Sequence, residues 1–161
     1  GFPLSEHWQI YLSVVLLSFV FMVPLLIYGE KKQRIRLVLL IAIILLVIAE
    51  IIFTQASSVT LITVALLIYF VGFNLLEALQ PSLVTRYAKE SKGTALGVYN
   101  TTQSIGLFSG ALLGGWLMDA HGDLSVFSAG TALLIGWLII AWSMRELPAR
   151  TADLQDASAK T

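Results

Sequence analysis

Polar side chains with the chemistry to bind a proton or a substrate are concentrated in residues 73–115, where they interrupt long apolar runs. Asn74 and Glu77 are three residues apart and therefore share one face of a predicted helix. A charged residue at the centre of a membrane helix costs roughly 2.5–3.5 kcal/mol on insertion scales, so its presence is a signal of function. Beside a partly dry cavity, Glu77 would exchange a proton or attract a cation, with Phe73 as an apolar wall for a lipophilic molecule. The alternative is that Glu77 lies near the helix end and pairs with Arg86 or a loop amide.

A second predicted helix in this segment carries glycines at regular spacing. At ~100° per residue, five of its residues form one stripe: Tyr99, Gln103, Gly106, Gly110 and Gly114. Gly97 and Gly115 lie on the opposite face. Glycines four residues apart allow helix backbones to approach closely, so the stripe predicts either static packing or an interface that slides during transport. Asn100 and Gln103 either line a pathway or form hydrogen bonds between helices.

The composition places these helices in a membrane. Hydrophobic residues make up 57% of the chain and charged residues only 12%, whereas a soluble domain has about 25% charged residues. Mean hydropathy is +0.84, and apolar runs of about 20 residues have the length that crosses a hydrocarbon core. We therefore predict an all-α, polytopic helical membrane protein. Cysteine is absent, so we expect no disulfide. The net charge of zero is uninformative about nucleic acid, and we expect no nucleic-acid partner for a membrane protein of this kind.

Five membrane spans are predicted, with a short polar lead before them and a polar tail after them. Pro81 is expected to end the third span, and Glu50 is expected to be exposed at the outer end of the second. The tail lacks periodicity, so we expect it to be disordered. The predicted boundaries are lead 1–7, spans 8–28, 37–53, 59–80, 93–118 and 124–144, and tail 145–161.

The distribution of basic residues predicts the orientation. All ten lysines and arginines fall within residues 31–36, 86–92 and 145–160. These are alternate connections of five spans, so they lie on one side of the membrane. Since lysine and arginine mark the cytoplasmic side, we expect the N-terminus outside and the C-terminus in the cytoplasm.

The spacing of the glycines resembles a known signature. Gly97, eight residues, Gly106, three residues, Gly110, Ala111, two residues, Gly114 and Gly115 follow the pattern G(x8)G(x3)GP(x2)GG. This is the antiporter signature of the major facilitator superfamily, with Ala111 in place of its proline. In that family the signature belongs to helix five of drug/proton antiporters, and its counterpart in the second half is helix eleven.

The loop at residues 28–36, YGEKKQRIR, resembles the second-half copy of the conserved cytoplasmic loop of the same superfamily. That loop runs acid–basic–x–glycine–basic. Glu30 occupies the acidic position, and Gln33 stands where glycine is usual. The basic residues are Lys31, Arg34 and Arg36. The resemblance implies a charge latch between the two halves of a transporter, and the alternative is a simple positive anchor on the cytoplasmic side.

Together these segments resemble helices eight to twelve of a twelve-helix transporter of the YajR-like efflux branch. The resemblance implies alternating access and proton-coupled efflux of small, lipophilic or cationic molecules across a bacterial inner membrane. It implies a small-molecule substrate, protons, the lipid bilayer and the missing N-terminal half of the same transporter as partners, and no cofactor or metal. In all, the first seven of the twelve helices would be missing. The implied pathway residues are Asn74, Glu77, Asn100, Gln103, Tyr11 and Phe73.

Two other classes of function remain open. One is a non-transporting membrane scaffold that binds a partner through its glycine-striped helix. The other is an intramembrane enzyme with Glu77 as acid or base, which would need a second ionisable residue at similar depth, and the sequence offers only distant Glu50. Zinc-protease, serine-hydrolase and phosphate-binding motifs are absent from the sequence, so an enzyme is not expected.

Overall fold

The computed structural model describes residues 7–88 and 90–144, with side chains from Tyr11 onward. Helices and short turns account for these residues, and no strand occurs among them, which confirms the all-α class. The helices are α1 (His7–Lys31), α2 (Ile35–Gln55), α3 (Val59–Tyr87), α4 (Lys92–His121) and α5 (Asp123–Trp142). The predicted lead, except His7, and the predicted tail lie outside the described residues.

Four of these helices are long and apolar enough to cross a membrane: α1, α2, α3 and α5. The most apolar of these four helices is α2, whose most apolar stretch has a mean hydropathy of 3.1. Helix α4 has the length, at 30 residues, but polar residues 99–104 in its first half lower its hydropathy. Its polar side chains therefore need partners other than hydrocarbon.

Helix α3 is longer than predicted, because it does not end at Pro81. It continues to Tyr87. Proline removes the backbone donor that the Glu77 carbonyl would otherwise accept from. One turn later the Thr85 hydroxyl contacts the carbonyl oxygens of Pro81 and Ser82 at 3.1 and 2.9 Å. The prediction that Pro81 closes the helix is therefore wrong, and Glu77 lies deeper inside α3 than expected.

Helices α2 and α3 form the centre of the described bundle. Their interface buries Val38, Ala42, Leu75 and Leu79 almost completely. Gly72 makes this crossing close, since a Cβ there would lie only 2.8 Å from the Ala42 carbonyl oxygen. Helix α1 packs on α3 and α2, α5 packs on α2, and α4 contacts α3 and α5. No residue of α4 is buried.

Candidate functional site

One face of α3 remains open between α1 and α4. Both helices contact α3, but within the described residues they do not contact each other. The open face carries Phe73, which is 39% exposed, and Glu77, which is exposed on the next turn. An acidic and aromatic surface is thus held between two helices of an otherwise apolar bundle.

Two hydrogen bonds between side chains join α3 to α4 on this face. Gln103 Nε2 donates to Glu77 Oε1 at 2.8 Å. Three residues further along α3, Gln80 Oε1 accepts from the Tyr99 hydroxyl at 2.8 Å. The partner of Glu77 is therefore an amide of the next helix, and the alternative pairing with Arg86 is wrong. Gln103 forms the bond between helices that was one of its two predicted roles.

Glu77 lies well inside α3. It is ten residues from the end of the helix at Tyr87, which is roughly 15 Å along a helix, and eighteen residues from its start at Val59. Among the described residues, no cation pairs with Glu77, so its carboxylate has only a neutral donor at this depth.

The other candidate pathway residues divide between buried contacts and open surface. Asn74 turns towards α1, where its Nδ2 donates to the hydroxyl of fully buried Ser18 at 2.9 Å. Ser18 in turn donates to the Val15 carbonyl at 2.7 Å. Asn74 therefore joins α1 to α3, whereas Tyr11 on α1 is 50% exposed and Asn100 on α4 is also exposed. Nothing in the sequence of α1 singles out Ser18, and it was missed.

The glycine signature of α4 does not pack against any other described helix. A Cβ built at each signature position meets no atom within 4 Å among the described residues; the positions are Gly97, Gly106, Gly110, Gly114 and Gly115. Gly114 and Met118 line an apolar groove with Asp123, Val126 and Phe127 of α5. The close approach predicted for these glycines thus requires a surface other than the rest of this bundle, and it stays a prediction.

The loop between α1 and α2 is tied to the ends of two other helices. Arg86, at the end of α3, forms an ion pair with Glu30 at 3.2 Å, and its side chain is only 9% exposed. Arg36 donates through Nη2 to the carbonyl oxygen of Trp142 at the C-terminus of α5, where a cation is favoured by the helix dipole. Lys31 and Arg34 are exposed. Two of the four predicted latch residues therefore make contacts inside this chain.

Gln33 explains why glycine is usual at its position in the loop that this segment resembles. Its φ is +54°, in the left-handed region that glycine adopts without a steric penalty. The turn after α1 is closed by the Arg34 amide, which donates to the Gly29 carbonyl at 2.9 Å. The left-handed residue after a helix end, followed by such a bond, is a common way to terminate a helix.

Glu50 is not exposed as predicted. It is half-buried, and its carboxyl atoms lie 3.6–3.8 Å from the position of a Cβ on Gly130 of α5. The prediction was wrong because α5, the fifth helix, covers this side of α2, and the sequence of α2 alone does not show this. Within the described part of the chain, no group of three metal-ligating side chains occurs.

Known proteins that resemble this chain are membrane transporters, in agreement with its long apolar helices. Residues 4–160 match the model of the Major Facilitator Superfamily. The chain is 41% identical over 150 residues to the inner membrane transport protein YajR of Escherichia coli K12, covering 92% of this chain and 33% of that protein. It is 31% identical over 112 residues to an uncharacterised transporter of Buchnera aphidicola from Acyrthosiphon pisum, covering 68% of this chain and 29% of that protein. The chain thus spans about a third of the length of these relatives.

Proposed function

The chain belongs to the major facilitator superfamily of transporters, and we propose that it forms part of the second half of a proton-coupled efflux transporter. In this proposal two halves rock about a site near the middle of the bilayer, which is the general mechanism of alternating access. The transported molecules are small and lipophilic or cationic. Protons moving inward drive them outward.

The observation that carries this proposal is the position of Glu77. It lies ten residues inside the end of a helix that is long and apolar enough to cross a membrane, on an open face, without a cationic partner among the described residues. Ionisable residues inside membranes are costly and characteristically mark proton or substrate pathways. A carboxylate that only stabilised the fold would be expected to have a salt bridge, as Glu30 has with Arg86.

The contact with Gln103 suits a group that gains and loses a proton. A carboxylate only accepts hydrogen bonds, whereas a carboxylic acid also donates one. The Gln103 amide presents both a donor and an acceptor, so rotation of the amide keeps α3 and α4 connected in both states. Proton binding would then change the charge of the open face without breaking the contact between the helices.

The aromatic residues of this face fit a lipophilic cation. Phe73 is exposed and stacks on Tyr69 with their ring centroids 6.0 Å apart. Tyr11, which is exposed near the start of α1, would line the pathway further along. Aromatic faces attract organic cations, and Glu77 would supply the opposite charge. A protonated Glu77 would lose this attraction, which couples release of the cation to proton uptake.

We infer that the remainder of the transporter covers α4. The exposed glycine stripe would meet the N-terminal half, and Asn100 would face the pathway between the halves. The basic residues of the α1–α2 and α3–α4 loops support a location of both loops on the cytoplasmic side of a bacterial inner membrane. Lys31 and Arg34, which are exposed, would complete the latch with the other half.

The proposal is tested by Glu77→Gln in the full-length protein reconstituted into liposomes. Export of a fluorescent lipophilic cation driven by an imposed pH gradient should fall at least about tenfold, because a single site carries the proton. Exchange of labelled for unlabelled cation without a gradient needs no proton, so it should remain measurable at a raised cation concentration, although the substitution also removes the charge that attracts the cation. Glu90→Gln is the matched control, because Glu90 is exposed in the loop between α3 and α4. Unchanged gradient-driven export in Glu77→Gln would remove Glu77 from the coupling mechanism.

A second candidate function is a membrane scaffold that moves no substrate. The open space at all five signature glycines favours it, because such a face is suited to close contact with another helix. In this case Gly110→Leu should abolish complex formation with a partner, while the full-length protein should transport no cation under any gradient.

A further inference from the structure

A second carboxylate lies where α2, α3 and α5 meet, in a different part of the bundle from Glu77. Glu50 of α2 lies with its carboxyl atoms 3.6–3.8 Å from the Cβ position of Gly130 on α5. Because Gly130 has no side chain, the carboxylate can lie close to the α5 backbone. Glu50 is half-buried, so part of it remains accessible from the surface of the bundle.

Aromatic rings line the same junction. Phe53, one turn after Glu50, stacks on Phe127 of α5 with centroids 5.5 Å apart and meets the Tyr69 ring edge-on at 6.5 Å. Tyr69 of α3 thus brings an aromatic ring and a phenol to the same junction as Phe53. Organic cations are attracted to aromatic faces, and more strongly when a carboxylate is nearby.

Glu50 lacks a hydrogen-bond donor and a counter-ion among the residues that the structure describes. A carboxylate at a helix junction in an apolar environment is destabilising unless a donor or a cation satisfies it. Gly130 and Phe127 have no donor side chain, and the Tyr69 phenol forms no hydrogen bond with this carboxyl among the described residues. A cation from outside this bundle that donates hydrogen bonds would satisfy the carboxylate.

We propose that Glu50 binds the primary ammonium of a lipid headgroup, of the phosphatidylethanolamine type. Glu50 lies about five residues from the end of α2 at Gln55, which is roughly 8 Å along the helix and within reach of the headgroup region. Helix α2 is also the most apolar of the membrane helices, as expected of a helix that faces lipid. This end of α2 is opposite the loop at 31–34, so the lipid belongs to the leaflet away from the basic connections.

The experiment uses the full-length protein in nanodiscs that contain phosphatidylglycerol, phosphatidylcholine and phosphatidylethanolamine in equal amounts. Native mass spectrometry then counts the lipids that stay bound after release. Wild-type protein should retain phosphatidylethanolamine about tenfold over phosphatidylcholine, because a trimethylated nitrogen cannot donate a hydrogen bond to the carboxylate. Glu50→Gln should lose this preference, and the matched substitution Glu90→Gln in the exposed loop should keep it.

Three results would overturn the proposal. They are equal retention of the two lipids by the wild type, an unchanged preference in Glu50→Gln, and equally tight binding of free ethanolamine, which would assign the site to a soluble amine. If Glu50→Gln does not fold, measurements on the wild-type protein alone test the proposal. Its retention should then fall with each methyl group added to the headgroup nitrogen. Transport by Glu77 does not enter this measurement, so the two proposals fail independently.

Discussion

Replacing Gly72 with alanine should destabilise the protein more than the same change at a glycine of the signature. A Cβ at Gly72 would lie 2.8 Å from the Ala42 carbonyl oxygen and 3.2 Å from side-chain atoms of Leu45 and Leu46. Favourable contacts between carbon atoms begin at about 3.5 Å. The nearest atom belongs to the backbone of α2, so no side-chain rotation relieves the contact. Helices α2 and α3 must separate by roughly half an ångström to admit the methyl group.

The expected loss follows from two opposing effects. Overpacking a well-packed core destabilises it by about 1–3 kcal/mol, and separation of α2 from α3 would also loosen fully buried Leu75. Alanine in place of glycine stabilises a helix by up to ~1 kcal/mol. The net loss at Gly72 should therefore be about 1–2 kcal/mol. Gly106→Ala is the matched control, since no atom of the described residues lies within 4 Å of its Cβ position.

The measurement is unfolding of the purified full-length protein by SDS titration in a fixed detergent, followed by tryptophan fluorescence. Gly72→Ala should lower the free energy of unfolding, and Gly106→Ala should leave it unchanged or raise it. If Gly72→Ala is as stable as the wild type, α2 and α3 do not cross as closely as the structure shows. A larger loss at Gly106 would place the closest helix contact on α4 instead.

Two further predictions concern the loop between α1 and α2. Gln33→Gly should raise the free energy of unfolding by about 1 kcal/mol, because glycine adopts φ +54° without the steric cost of a Cβ. Lys32→Gly is the control and should lower the free energy of unfolding, because Lys32 does not have a positive φ. Equal effects of the two substitutions would contradict the reasoning. A double-mutant cycle of Glu30→Gln and Arg86→Gln should give a small coupling energy, of up to about 1 kcal/mol. The reason is that the Glu30 side chain is 42% exposed, so water screens the ion pair. Zero coupling would show that the ion pair does not stabilise the loop.

The helices could be predicted from the sequence because their signals are local. Apolar length and clusters of basic residues gave boundaries within about three residues of those observed, apart from the end of α3. The error at Pro81 arose because proline usually ends a helix, whereas α3 loses only one backbone hydrogen bond there and continues to Tyr87. The left-handed Gln33 is consistent with the resemblance of its loop, in which glycine is usual.

The partners of the polar side chains could not be predicted in the same way, because they depend on how each helix is rotated. Glu77 and Asn74 share a helix face by spacing, yet one contacts α4 and the other α1. A signal for the first contact was present. In each bonded pair, the two residues are about equally far along the sequence from the middle of the loop between α3 and α4. This is expected of side chains that meet across a helical hairpin, and it holds for Glu77–Gln103 and for Gln80–Tyr99.

Helix α4 carries the surface that we propose to meet the rest of the transporter. Several of its hydroxyls are satisfied within the helix, since Thr101 donates to the Gly97 carbonyl and Thr102 to the Val98 carbonyl, both at 2.9 Å. The Asn100 amide cannot be satisfied in this way, and it has no side-chain partner among the described residues. Because an unpaired amide in hydrocarbon is costly, this surface is unsuited to lipid, unlike α2. The most exposed helix of the chain therefore needs a polar neighbour or a water-filled cavity, and Glu77 lies directly beside it.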